Sequence, residues 1–305
     1  MNKLAFGRTG FDVSALGFGA APIGFLKTER EKVAAILNLL LDAGVNVIDT
    51  AASYEGSEEL IASAVGHRRG EFVLVSKCGG KVQQAQGEAW SAELILNTVD
   101  AALRRLQTDV IDVMLLHSCD LVTLKKGRAI DALVEARKAG KIKFAGYSGD
   151  NEAAAWAARH PEIAVLETSV NFVDQNNIDA VLPVAKEHNV GVLAKRPIAN
   201  SAWRGLQAFS GIYPAYVRPY WERFQRLHLT PQQLGFDGDR DWAEIALRFT
   251  LAQPGVHTAI TGTTNPDNAR ANIAAARKGP LPAEAVKIMR DAFNRAAAEG
   301  WPGLT

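Results

Sequence analysis

The strongest constraint on this chain is a repeat of short, continuously apolar segments, each followed by an amphipathic one. Phe72-Val73-Leu74-Val75 and Val113-Met114-Leu115-Leu116 carry no polar residue on either face. A strand of that kind must be covered on both sides, as parallel strands are and half-exposed antiparallel ones are not. In chain order, apolar strands are expected at 16–20, 45–49, 72–76, 111–116, 142–147, 164–169, 190–194 and 256–260. The intervening helices are expected at 29–43, from Ser57, and at 91–106, 122–139, 151–159, 177–189, 241–252 and 266–277. Local signals agree: Thr28 and Glu31 stand in capping-box spacing, Ser57 and Ser91 open helices, and Gly44 and Gly140 end them. Ahead of the repeat, 3–6 and 12–15 flank Gly7-Arg8-Thr9-Gly10 as a small hairpin; behind it, 283–298 forms one more helix.

About eight strand–helix pairs fit either a closed (β/α)8 barrel or an open doubly wound sheet. The open sheet should carry a dinucleotide fingerprint after its first strand. Gly17-Phe18-Gly19-Ala20-Ala21-Pro22 has the first two glycines, but Pro22 stands where the third belongs. The expected fold is therefore α/β, a (β/α)8 TIM barrel with an N-terminal β-hairpin cap and an extra C-terminal helix. Barrels of this size fold as one unit, so residues 1–305 are read as a single domain. A net charge of +1 without a long basic run speaks against nucleic acid or an anionic membrane as partner. Two cysteines, Cys78 and Cys119, give neither a disulfide framework nor a paired-cysteine metal site, and no metal is expected. The N-terminus has no signal-peptide core and no segment is apolar enough to span a bilayer, so a cytoplasmic location is expected. Nothing in the sequence bears on oligomeric state.

In a barrel, chemistry sits at the carboxyl ends of the strands. The second strand finishes on Asp49, with Tyr54 five positions on; the third ends on Lys77 and the fourth on His117. One lysine or histidine at a strand end is usually a solvated boundary or a satisfied structural residue. Four ionisable groups on three neighbouring strands at one rim are harder to explain that way. A phenol is a poor acid, but an ammonium about 4 Å away lowers its pKa by up to roughly 3 units at an effective dielectric near 20. Lys77 would do this for Tyr54 if Asp49 held it charged and in place, and His117 would orient a carbonyl beside the phenol. That is a general acid next to a polarised oxygen. With no nucleophile, metal cluster or phosphate loop beside it, the natural co-reactant is hydride from a nicotinamide.

These features resemble the aldo-keto reductase family over essentially the whole chain: the hairpin with Gly7-Arg8-Thr9-Gly10, then Leu16-Gly17-Phe18-Gly19, the Asp49, Tyr54, Lys77, His117 tetrad, and Gly262-Thr263-Thr264-Asn265-Pro266 with Arg270 and Asn272. The resemblance implies NAD(P)H-dependent reduction of an aldehyde or ketone, a small-molecule carbonyl, with Tyr54 as proton donor, Lys77 and Asp49 tuning it and His117 orienting. It also implies cofactor contacts. Family members hold the carboxamide with a serine and asparagine after the fifth strand and a glutamine on the sixth; here Ser148 is kept, but Gly149 and Glu167 replace the other two. Glu167 can only accept from the amide, and Asn171 is a further contact. Lys195, Arg196 and Pro197 follow the seventh strand on the cofactor path. Gly262, Thr263, Thr264, Asn268, Arg270 and Asn272 face the adenosine end, where helix N-terminal amides suit an anion. Arg270 points to NADPH; glycine at 262, where many NADP-preferring relatives carry lysine, leaves NADH open.

Substrate contacts are expected from Phe25, Trp90, Trp203 and Trp301, and from the long 199–240 segment, whose aromatic residues argue against disorder. Three other readings stay open at this point: the same fold as an NAD(P)-dependent alcohol or sugar dehydrogenase, a nicotinamide-binding regulatory subunit without catalysis, and a barrel aldolase with Lys77 as Schiff base.

Overall fold

Eight parallel strands close into a barrel in the computed structural model, which describes residues 1–82, 85–209, 213–298 and 300–304. Strands β1 (Lys3–Ala5) and β2 (Asp12–Ser14) form an antiparallel hairpin. The barrel runs β3 (Leu16–Gly19), β4 (Val47–Asp49), β5 (Val73–Cys78), β6 (Ile111–His117), β7 (Ile142–Ser148), β8 (Ile163–Ser169), β9 (Gly191–Lys195) and β10 (Thr258–Thr261). Each strand pairs with its sequence neighbours, and β10 closes on β3 with Ile260 opposite Gly17.

Side chains alternate across each strand. Val47, Val75, Val113, Leu115, Val165, Leu193 and Ile260 form one buried cluster inside the barrel. Their neighbours Ile48, Leu74, Met114, Leu116, Leu166 and Val192 pack outward against Ile36, Leu37, Ile95, Val99 and Leu133 of the surrounding helices. Both faces of the central strands are thus largely apolar, which is why the sequence shows runs rather than alternation. Phe6 and Val13 of the hairpin join the inner cluster and plug its amino-terminal end. Gly7, at φ 54°, lies so close to the backbone of Val190 and Gly191 that no Cβ fits. The Arg8 guanidinium donates to the carbonyls of His188, Pro161 and Ile163, tying the hairpin to the starts of β8 and β9. With this end plugged, the barrel opens at its carboxyl-terminal mouth, where barrels carry their chemistry.

Several local expectations are corrected. Helix Arg30–Asp42 stops at Gly44 (φ 85°), but no capping box forms: Thr28 Oγ1 is buried without a partner and Glu29 occupies the cap. The reason is a short helix, Ala21–Phe25, after which the Thr28 N–H donates to Ile23 O and turns its side chain away. Ser57 is the first residue of its helix rather than the cap; left-handed Gly56 precedes it, and Ser57 Oγ shares a 2.5 Å hydrogen bond with Thr50 Oγ1. Ser91 does cap its helix, accepting from Leu94 N at 3.1 Å. The helix expected at 122–139 is two, Leu121–Lys125 and Arg128–Lys138, broken at Gly127 (φ 77°). That expected at 177–189 is likewise split, into Asn176–Ala180 and Leu182–Glu187, where Pro183 in the second piece has no N–H to continue the ladder. The long 199–240 segment carries short 3-10 turns and the helix Tyr213–Leu227; its residues 210–212 lie outside the described residues, as does Thr305 of the tail. The last helix is Ala283–Ala296. No helix among the described residues is long and apolar enough to cross a membrane.

Candidate active site

The two-residue period that fills the barrel also builds its mouth. Val47 and Val75 point inward, so Asp49 and Lys77, two residues further along, do too; the same step takes Leu115 to His117 and Val165 to Glu167. Lys77 Nζ donates to Asp49 Oδ1 at 2.5 Å, to Asp49 Oδ2 at 2.7 Å and to the Thr50 carbonyl at 3.0 Å. Glu167 Oε2 is 3.1 Å from the same nitrogen. Lys77, Asp49 and Glu167 are 1%, 2% and 3% exposed, so the ammonium is closed off from water between two carboxylates. Tyr54 arrives from a tight loop that its N–H closes onto Ala51 O at 3.0 Å. Its ring centroid lies 5.3 Å from Lys77 Nζ and 6.0 Å from the His117 ring, which meets it edge-on at 86°. The four residues of the expected tetrad therefore share one corner of the mouth.

Electrostatics in this corner differ from the simple expectation. Burial raises the Tyr54 phenol, and Asp49 and Glu167 raise it further against the pull of Lys77, so its pKa is above rather than below the ordinary value. Burial works against the Lys77 charge, but the two carboxylates outweigh it and hold the ammonium above its usual range. Burial and the Glu167 charge raise Asp49, while Lys77 and Lys195 overcome burial to lower Glu167. Two carboxyls this close titrate as a pair. Burial, then the Lys77 charge, lowers His117 to about 4, leaving a neutral imidazole at physiological pH.

The residues expected to meet the cofactor lie on the adjoining arc. Ser148 is buried at the end of β7, its carbonyl accepting from Ser118 N at 2.7 Å. The glycine after it has a physical cause: the Tyr147 ring folds over position 149, leaving no room for a Cβ, and its hydroxyl donates to Cys119 O at 2.7 Å. Asn171 is fully buried; its Oδ1 accepts from Val173 N and Asp174 N, but its Nδ2 has no partner. Apart from its ion pair with Lys77, Glu167 Oε2 also lacks a hydrogen bond. Glu167 Oε2, met by Lys77 alone, and the partnerless Asn171 Nδ2 offer an acceptor and a donor that match the NH2 and C=O of a carboxamide. This donor set fits a nicotinamide. Lys195 and Arg196 end β9 as two adjacent cations, and the Pro197 carbonyl accepts from Thr250 Oγ1. Gly262 is pinned where a Cβ would lie 2.5 Å from Gly19 O, which explains a glycine in place of lysine. Thr263 Oγ1 accepts from Asn265 N, Asn272 Nδ2 donates to Thr261 Oγ1, and Thr264 and Asn268 stand beside them at the start of helix Pro266–Arg277. Arg270, on that helix, is exposed and pairs with Asp267 at 2.8 Å.

Asp150 escaped the sequence reading, and Tyr216 and Tyr220 entered it only among the aromatic residues of the 199–240 segment. Asp150, 6% exposed, pairs with Lys195 at 3.0 Å and accepts from Ser169 N and Asn177 Nδ2. Tyr216 and Tyr220, one turn apart, receive hydrogen bonds from Arg196 at 2.6 and 3.2 Å. Asp150 lies two residues beyond the end of β7, at the start of helix Asn151–Arg159, and was detectable as a residue of the same rim. The tyrosines lie within the long segment, and their pairing with Arg196 is purely tertiary. Of the expected substrate contacts, Phe25 packs edge-on against Tyr54 at 5.3 Å and is half exposed. Trp90, at φ 65°, lays its ring on Gly79, two residues beyond Lys77. Trp203 stacks on Trp242 within an aromatic group that includes Phe172 and Phe224, and Trp301 is wedged between Phe293, Arg223 and Arg226. Cys78 and Cys119 are buried free thiols, both raised chiefly by burial.

Comparison with known proteins gives the same answer as the geometry. The chain is 27% identical to the uncharacterized oxidoreductase YqkF of Bacillus subtilis, across 95% of this chain and 96% of that one. It is 25% identical to L-galactose dehydrogenase of Arabidopsis thaliana, across 89% and 86%. An aldo-keto reductase from Bacillus halodurans, solved in its holo form, superimposes with a TM-score of 0.79 at 27% identity, covering 96% of each chain. The model of the Aldo/keto reductase family matches residues 15–294. With that match laid over a closed eight-stranded barrel whose mouth holds the Asp49, Tyr54, Lys77, His117 corner, the chain belongs to the aldo/keto reductase family.

Proposed function

We propose that this protein is an NAD(P)H-dependent oxidoreductase that reduces an aldehyde or ketone to an alcohol, with Tyr54 as general acid. The observation that carries the reading is the buried Lys77 ammonium, held between Asp49 and Glu167 under the Tyr54 ring with a neutral His117 beside it. The cofactor, when bound, supplies the hydride. Ser148, Glu167 and Asn171 would hold its carboxamide side, Lys195 and Arg196 its phosphates, and the 262–272 segment its adenosine end. The carbonyl oxygen sits between Tyr54 Oη and the His117 imidazole, which donates without itself being charged. As negative charge builds on that oxygen, Tyr54 releases its proton to it and Lys77 stabilises the phenolate left behind. Phe25, half exposed against the phenol, forms an apolar wall for a small carbonyl compound.

NADPH is the proposed cofactor, with Arg270 as the partner of its 2′-phosphate, a contact for which Arg270 would have to leave Asp267. An aldolase reading is disfavoured, because a Schiff base needs a neutral lysine amine and both carboxylates keep Lys77 protonated. A purely regulatory nicotinamide-binding role would give no reason for an ammonium buried beneath a phenol, since burying charge costs stability. Alcohol oxidation uses the same residues in reverse and remains the second direction of the same proposal.

The test is Tyr54→Phe, assayed by NADPH consumption with a panel of small aldehydes and by quenching of tryptophan fluorescence on NADPH addition. Loss of a general acid predicts a fall of about 10²–10⁴-fold in turnover, with cofactor affinity essentially kept. Turnover near wild type in that variant would falsify the donor assignment.

A further inference from the structure

The position where relatives carry a glutamine is occupied here by an acid that faces the catalytic lysine as well as the cofactor side. Glu167 Oε2 stands 3.1 Å from Lys77 Nζ, while Asp49 holds the same nitrogen at 2.5 and 2.7 Å. One ammonium thus serves two buried carboxylates. We propose that Glu167 is a positioning residue of the proton-transfer unit, a second carboxylate on Lys77 that keeps Tyr54 protonated into the alkaline range.

The charge balance carries this. A lysine paired with one carboxylate forms a neutral unit beneath the phenol, and ionising the phenol there is opposed mainly by burial. With Glu167 added, the unit bears one net negative charge wherever both carboxyls are ionised, which includes the alkaline range in which a phenol titrates. A second negative charge on Tyr54 Oη is then opposed in a site too dry to screen it. Every charged or titratable group facing the phenol enters the balance. Asp49 from β4, Lys77 from β5, His117 from β6 and Glu167 from β8 line its corner, Lys195 and Arg196 stand at the end of β9, and Tyr216 reaches in from helix Tyr213–Leu227. Asp150, 3.0 and 3.9 Å from Lys195 and Arg196, offsets one of those two charges, and the charges that act most on the phenol are those of Lys77, Asp49 and Glu167. Glutamine at 167 would keep the shape and the carboxamide contact but remove the charge.

This inference rests on Tyr54 being the proton donor. Its test is the pH dependence of kcat/KM for aldehyde reduction from pH 6 to 11 in wild type and in Glu167→Gln. NADPH quenching of tryptophan fluorescence verifies that the isosteric variant is folded and binds cofactor. The variant should lose activity at the alkaline end at least about one pH unit earlier than wild type, following from one unit charge removed at an effective dielectric near 20. Coincident alkaline limbs, or no alkaline decline in either protein up to pH 11, would overturn the assignment of Glu167. If Tyr54→Phe abolishes reduction while the two limbs coincide, the donor assignment stands and only the inference about Glu167 fails. If Tyr54→Phe stays active, the donor assignment itself is lost.

Discussion

His117 is the group whose titration is easiest to isolate, and replacing it by glutamine turns its environment into a measurement. Its pKa in the folded protein is lowered to about 4 from an ordinary 6.5, by burial first and then by the nearby Lys77 charge. Sign and window follow from that difference. Between about 6.5 and about 4 the unfolded chain takes up a proton at this residue that the folded protein refuses, so folding there becomes less favourable as the pH falls. The contribution is fully present above the unfolded value and is lost as the pH drops through the folded one. A separation of about 2.5 units, at roughly 1.4 kcal/mol per unit, makes the loss about 3 kcal/mol at most. Urea unfolding of wild type and His117→Gln at half-unit steps from pH 4 to 8 reads this directly. The stability difference between the two proteins should change by about that amount between pH 6.5 and pH 4 and stay flat above pH 7. Asp49 and Glu167 titrate in both proteins and largely cancel in the difference. Parallel curves across the window would show that His117 is not held neutral by its surroundings. The same fact has a kinetic face, because reduction by wild type should show no limb near pH 6.5 assignable to His117.

Two further outcomes follow from named contacts. Arg270→Ala should weaken NADPH binding by several-fold and NADH binding little, measured by fluorescence quenching; equal losses would place recognition of the 2′-phosphate elsewhere. Gly149→Ala should destabilise the fold by about 1–3 kcal/mol in urea unfolding, because the new methyl meets the Tyr147 ring, and adding Tyr147→Leu should recover part of the loss; an unchanged midpoint in Gly149→Ala would refute the steric account.

What could be read from the sequence divides along a physical line. Strand positions were legible because a residue buried on both faces of a parallel sheet has to be apolar, and the run Val113 to Leu116 leaves no other assignment. Asp49, Lys77 and His117 were legible for the converse reason: each interrupts an apolar run at the end where a barrel opens. The helix caps were harder to place, since a capping box is a local pattern that tertiary turns override. The Thr28 and Glu31 spacing was present, but the short helix Ala21–Phe25 set the backbone of Thr28 first. The breaks at Gly127 and before Leu182 fall at residues whose meaning depends on what the helix must pack against. The Arg196 partners Tyr216 and Tyr220 required the fold itself, because they meet that arginine across 20 and 24 positions of chain.

Electrostatics is where counting residues misled most, and the reason is general. A lysine near a tyrosine suggests a lowered phenol only if the lysine's charge is the largest influence on it. In this mouth the lysine is shared by two acids, and the desolvation that strengthens every charge in the site also opposes the phenolate. A donor with a raised pKa is not a worse catalyst for reduction. It is protonated in every molecule at neutral pH, and it need release its proton only as an alkoxide, a far stronger base, develops beside it. For the reverse reaction the same tuning is unfavourable, because alcohol oxidation needs the phenolate as base before chemistry begins. With Tyr54 as the proposed donor, the second carboxylate on Lys77 keeps that donor protonated, through the charge that a glutamine at position 167 would not carry.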